Sequence, residues 1–218
     1  MAFAAGGAKI SVTAPIDAND HASLQRGART FINNCLNCHS ANYMRYNRLV
    51  DIGLTEAEIK ENLLLAGEKV GDTMRVAMDP KDAKKWFGVT PPDLTLEVRA
   101  KGADWVYAYM RGFYKDGSTP SGWNNVVYDK VAMPHVLYEL QGEQALNHET
   151  HKLELVKPGK LSPTKYNAFV GDLVNYMAYM AEPAKEQRKN IGLWVLLFLA
   201  VLLVLMKKLK AAYWKDIK

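Results

Sequence analysis

The chain has two cysteines, three residues apart, with a histidine directly after the second: Cys35-Leu36-Asn37-Cys38-His39. No cysteine is left over for a disulfide framework, so the pair acts as one unit. Two thiols within one helical turn can each add to one vinyl group on the same edge of a porphyrin. The next residue then lies beneath the ring with its imidazole aimed at the iron. C-x-x-C-H is accordingly the attachment signature of a c-type haem. Two rival chemistries use the same residue types. A thioredoxin-like redox pair wants its C-x-x-C after a strand and at a helix start, where the helix dipole lowers the first thiol's pKa; here a helical pattern precedes the motif. A structural zinc site needs four ligands, and although His148 and His151 could complete one, no second C-x-x-C or H-x3-H occurs.

With His39 as one axial ligand of such a haem, the other axial position remains to be filled. Methionine raises the potential of a c-type haem when it ligates opposite histidine, and the chain has nine. Met110, Met177 and Met180 recur at core spacing on helical segments, Met206 lies in an apolar run, Met1 is terminal, and Met44 follows the motif too closely to reach the opposite face. Met74, Met78 and Met133 remain. Met133 is the best placed, at the end of a long loop and stiffened by Pro134. His135 competes with it, because a second imidazole would also ligate. His21, His148 and His151 read as surface residues, and His148-Glu149-Thr150-His151 lacks the i, i+4 spacing of a zinc protease. No phosphate loop, dinucleotide fingerprint or nucleophile elbow is found, and nothing argues for acid–base or covalent catalysis by the chain itself.

The second constraint is the run from Ile191 to Met206, sixteen residues without a charge. As a helix it rises about 24 Å, slightly less than the roughly 30 Å hydrocarbon slab. Flanking lysines can snorkel, and Trp194, Tyr213 and Trp214 suit interfacial depth. Five lysines follow the run (207, 208, 210, 215, 218) and three cations precede it (185, 188, 189), which points the tail to the cytoplasm. The body is then expected in the bacterial periplasm, where c-type haem is attached. Ala2-Phe3-Ala4 has the small-x-small form of a signal-peptidase site.

Charge patterning sharpens this. The chain carries +5, but residues 183–218 hold 8 Lys+Arg against 2 Asp+Glu, while the other 182 residues hold 20 against 21. The body is therefore near neutral at −1, with no basic stripe for a nucleic-acid backbone to track. Nucleic acid is not an expected partner.

The coarse organisation is mostly helical. After an extended lead-in over 1–18, Asp20 or Asn19 caps a helix carrying Leu24, Ala28, Phe31 and Ile32 on one face and ending at Cys35. Thr55-Glu56-Ala57-Glu58 is a capping box for a second helix ending at Gly67, and a third spans Asp104 to Arg111. Residues 112–135 read as a long irregular loop. Leu153 to Val156 reads as a short strand, and Ser162-Pro163 opens a helix that Pro183 breaks. The expected domains are a haem domain over 1–182, a juxtamembrane linker over 183–190, a transmembrane helix over 191–206 and a basic tail over 207–218.

Four segments in order carry a closer likeness: CLNCH followed by MRYNRLV; PPDLTLEVRAKGADWVYAYMRGFY; VYDKVAMPHVLYE; and AEPAKEQRKNIGLWVLLFLAVLLVLMKK. From about residue 20 to the end the chain resembles the cytochrome c1 family, the haem subunits of the cytochrome bc1 complex (ubiquinol:cytochrome c oxidoreductase). The resemblance implies a class I cytochrome c-like haem domain with long loops and one C-terminal transmembrane helix. It implies one covalently attached haem c, with Cys35 and Cys38 as thioether sites and His39 and Met133 as iron ligands. Pro91 and Pro92 match prolines packed near the haem, and Arg99 or Lys101 a basic position near a propionate. A cation there is sensible, since a partly buried carboxylate needs pairing.

As an electron-transfer subunit the protein is expected to take electrons from the Rieske iron–sulfur protein and pass them to a soluble cytochrome c, beside cytochrome b in a homodimeric complex. A membrane-tethered cytochrome serving another oxidoreductase is the alternative within electron transfer, and a membrane-anchored thiol oxidoreductase the one outside it. His135 departs from the further prolines the family usually has after Ala-Met-Pro. The short gap between PPDL and Met133 favours a bacterial member.

Overall fold

Asp20 starts the first helix as its sequence position requires: the carboxylate accepts the Ser23 amide at 2.9 Å, and α1 runs His21–Asn34. Leu24, Ala28, Phe31 and Ile32 are all buried along one face. Cys35 closes the helix, its amide donating to the Phe31 carbonyl at 2.8 Å. The computed structural model describes residues 11–215. Ala2-Phe3-Ala4 and the last residues of the tail lie outside them.

After the haem motif, β1 (Ala41–Arg45) pairs antiparallel with β2 (Thr73–Met74) around a 3-10 helix, Tyr46–Ile52. The capping box at Thr55 and Glu58 is formed, and α2 runs Glu56–Asn62. It stops well before Gly67, because only Ile59 of this helix is buried and the amides of both Leu63 and Leu64 already return to its carbonyl. Next come α3 (Pro80–Phe87), α4 (Glu97–Lys101) and α5 (Ala103–Arg111).

The segment expected to be irregular contains a hairpin: β3 (Phe113–Lys115) pairs with β4 (Trp123–Asn125). The Gly, Ser and Pro residues between them form its turn, and strands of three residues are too short to display an alternating pattern. A short α6 (Tyr138–Gln141) leads into β5 (Gly142–Asn147) and β6 (Lys152–Pro158), an antiparallel pair that extends the expected strand at both ends.

The core forms where α1 crosses α7 (Pro163–Ala181), with α4 and α5 packed on α7 as well. Gly27 allows the close approach. A Cβ there would run into the carbonyl oxygen of Asp172 and stand 2.6 Å from Tyr176 Cβ. Phe31 and Tyr176 meet at 5.8 Å between ring centroids, both buried, each contributing roughly 1.5–3 kcal/mol. Arg26 reinforces the crossing with a two-pronged bond to Asp172 at 2.6 and 2.9 Å.

The described part of the lead-in is docked on this core. The Ala14 amide donates to Asp104 and the Asp17 amide to Asn175, while Gly171 leaves room for the Pro15 ring. This compact unit ends at Ala181 and a second begins at Glu182. The second is α8, Lys185–Tyr213. Its helix extends beyond the apolar run 191–206 in both directions and includes most of the expected linker. None of its described side chains is buried. A helix this long and apolar suits a bilayer and fits a single-pass C-terminal anchor.

Candidate haem-binding site

The motif residues follow from the end of α1. The amides of Cys38 and His39 both return to the Cys35 carbonyl, at 3.1 and 2.9 Å, so all three chemical groups sit in one turn. The two thiols are not joined in a disulfide. The Cys35 thiol is buried, and that burial, with Cys38 beside it, pushes its pKa up to about 12. A nucleophilic redox cysteine needs the opposite shift.

His39 is buried, and its ring Nδ1 lies 2.8 Å from the carbonyl oxygen of Pro92. A carbonyl can only accept, so Nδ1 carries the proton and Nε2 keeps its lone pair for a metal. Burial lowers the imidazole's pKa, against the opposing pull of the Pro92 carbonyl, Glu97 and Asp93, and this keeps the ring neutral. Pro92 is itself anchored. The Leu94 amide donates to Ser40 at 2.9 Å, and the Asp93 carboxylate accepts the amides of Asn42 and Thr95 at 2.7 and 2.9 Å. The PPDL segment is thereby laced to the stretch following the motif. Pro91 is half-buried, whereas Pro92 is exposed apart from its carbonyl bond. Arg99 and Lys101 are exposed on α4, with Lys101 Nζ 5.1 Å above the ring of Trp105.

Among the candidate methionines, Met74 is fully buried in the main core, where the Tyr176 hydroxyl reaches its sulfur at 3.6 Å. Met133 is half-buried against a separate cluster of Phe113, Trp123 and Val131. Tyr109 belongs to both cores: it packs against the main core, which contains Cys35 and Leu36, and against the Met133 cluster. Its hydroxyl donates to Met133 Sδ at 3.5 Å. Burial raises the pKa of that hydroxyl, so it stays a donor.

His135 is 2% exposed, stacked on Phe113 at 4.8 Å and met edge-on by Trp123 at 5.0 Å. Among the described residues neither ring nitrogen makes a hydrogen bond of normal geometry. Burial pulls its pKa down to about 4, outweighing the nearby Gln141 side chain, which raises it, and helped by the Lys115 charge, so the imidazole is neutral. His21, His148 and His151 are exposed, the last two in the turn between β5 and β6.

Sequence reasoning missed Trp105 and Tyr109. Their rings stack at 5.1 Å, and Tyr109 meets Phe113 edge-on at 5.1 Å. The i, i+4 spacing of the aromatic residues at 105, 109 and 113 was the available signal.

Two thiols in one turn, an imidazole with its tautomer set and a soft thioether are the groups a c-type haem protein uses. A sequence model described as the Cytochrome C1 family matches residues 10–217. Cytochrome c1 of Allochromatium vinosum is 47% identical over 226 residues, 99% of this chain and 93% of its own. Cytochrome c1 of Rhodospirillum rubrum is 29% identical over 229 residues, covering 91% and 83%. The ammonia monooxygenase gamma subunit of Nitrosomonas europaea is 54% identical over 204 residues, covering 94% and 87%. The chain belongs to the cytochrome c1 family, whose members carry a c-type haem in an electron-transfer subunit of the cytochrome bc1 complex.

Proposed function

We propose that this protein is the cytochrome c1 of a bacterial ubiquinol:cytochrome c oxidoreductase. It takes single electrons from the Rieske iron–sulfur protein and hands them to a soluble cytochrome c or equivalent carrier. Cytochrome b, in the same homodimeric complex, handles the quinol. The observation that carries this reading is the bond of His39 Nδ1 to the Pro92 carbonyl, which turns the histidine of C-x-x-C-H into a preset metal ligand.

One haem c, when bound, supplies a one-electron iron couple, and the chain's own residues do the rest. Cys35 and Cys38 would hold the cofactor through thioether bonds, and His39 and Met133 would ligate its iron. Thioether ligation favours a high potential. Pro91 and Pro92 pack at the pocket edge. Arg99 or Lys101 pairs a propionate, offsetting a partly buried charge. The haem domain, 1–182, lies in the periplasm; 183–190 connects it to the span 191–206, and the lysine-rich tail 207–218 faces the cytoplasm, in keeping with the positive-inside rule.

A reduced-minus-oxidised spectrum of purified membranes with redox titration, together with the mass of the polypeptide, tests this. A mass increased by one haem and a single high-potential transition are expected; a mass without haem, or thiols that alkylate readily, would exclude it. A second reading, a tethered cytochrome serving a different oxidoreductase, is favoured by the name of the Nitrosomonas europaea relative. Co-purification decides: cytochrome b in stoichiometric amount supports the first reading, and a different oxidoreductase in its place supports the second.

A further inference from the structure

Met133 lies in the segment between β4 and α6, and the β3–β4 hairpin grips that segment on both sides of it. On the N-terminal side the agent is Asn124 of β4, which is 5% exposed and has every hydrogen-bonding position filled. Its amide group donates to Asp116 at 3.0 Å and to Asp129 at 2.9 Å. Its carbonyl oxygen accepts the amides of Asn125 at 2.8 Å and Lys130 at 2.9 Å. Lys130 sits at φ 57°, a left-handed conformation that a lysine rarely adopts unaided. Asn124 therefore holds the chain in an unfavourable turn three residues before Met133. Val131 follows, buried against Phe113 and Trp123.

On the C-terminal side the agent is His135. Its ring lies parallel to Phe113, at 1° between planes, and perpendicular to Trp123, at 81°. Phe113 and Trp123 come from the two strands of the same hairpin, paired through Phe113 with Asn125 and Lys115 with Trp123. Held between these two rings, the imidazole contributes here by shape and stacking.

We infer that Asn124 and His135 are a pair of positioning residues which together set the Met133 sulfur as a haem-iron ligand, Asn124 by hydrogen bonding and His135 by ring packing. The inference rests on Met133 being the ligand. It also gives the imidazole next to Ala-Met-Pro a packing role instead of a coordinating one.

The test uses the full-length haem protein and reads the midpoint potential, the sulfur-to-iron charge-transfer band of the oxidised form and carbon monoxide binding by the reduced form. Asn124→Ala and His135→Ala should lose the band, bind carbon monoxide and move toward the midpoint of Met133→Leu, with unchanged far-ultraviolet circular dichroism. His135→Phe should retain wild-type values, because the stack survives. If Met133→Leu itself changes none of these, the ligand assignment falls. If it changes them while Asn124→Ala and His135→Ala stay at wild type, only the positioning inference falls. Should Asn124→Ala yield no haem protein, the two His135 variants decide: loss of the band in both would show that the nitrogens, not the ring, are needed, and would overturn the packing role.

Discussion

The Nδ1 of His39 donates to the carbonyl of Pro92 across 2.8 Å and a sequence separation of 53 residues. This one bond joins the haem motif to the PPDL segment and sets the tautomer of the ring. Pro92 cannot be tested through its own side chain, since a backbone oxygen makes the contact, but its anchor can.

Asp93→Ala removes the carboxylate that holds the amides of Asn42 and Thr95. Two part-buried amides left without partners cost about 1–3 kcal/mol in stability. The midpoint potential should shift as well, because the histidine's outer partner tunes its basicity. Denaturant unfolding of the solubilised protein with parallel redox titration measures both; an unchanged unfolding midpoint would remove Asp93 from this role.

Met133→Leu replaces the thioether proposed to ligate the iron with an alkyl group of similar size. The midpoint should fall by a sizeable part of the roughly 0.8 V range that axial ligands span, and the reduced iron should bind carbon monoxide. Tyr109→Phe removes only a hydroxyl contact to a weak sulfur acceptor, at 3.5 Å, and should shift the titration far less. Equal shifts in the two variants would place the ligand elsewhere.

Gly27→Ala puts a methyl group into the Asp172 carbonyl and the Tyr176 side chain at the α1–α7 crossing. Backbone cannot yield there as a flexible side chain would. The expected loss is about 1–3 kcal/mol, the usual cost of overpacking, read as a lower thermal midpoint. Gly88→Ala is a contrasting control, with open space at its Cβ and strain only from its φ of 76°.

Glu58 is held below the ordinary glutamate range by the Thr55 backbone amide, then by its hydroxyl. Its folded pKa is depressed, so its contribution is present above the unfolded-state value and is lost as pH falls through the folded one. Glu58→Gln should therefore lower the thermal midpoint near neutral pH, and the gap from wild type should close on acidification into the carboxylate range. A gap independent of pH would mean the charge contributes nothing.

Much of the fold could be read from local pattern. The Asp20 cap, the capping box at Thr55 and the Ser162-Pro163 start each involve residues within one turn of one another, and each forms. The β3–β4 hairpin that precedes Met133 was not legible because its strands are too short for periodicity to separate them from loop. Helix α3 went unread although its signals stand in the sequence, with Asp79-Pro80 at its start, Ala83, Trp86 and Phe87 at helical spacing and Gly88 at its end.

By itself the sequence determined which groups this protein can offer a haem, where its membrane helix lies, and where its charge sits, because each depends on identity and spacing along a short stretch of chain. Tertiary structure alone decided what those groups meet. Pro92 as the partner of His39, Tyr109 beside Met133, and the lead-in joined to Asn175 across 158 residues all depend on how helices pack. A contact between distant residues is set by the summed packing of the helices and loops between them, and no local spacing records that sum.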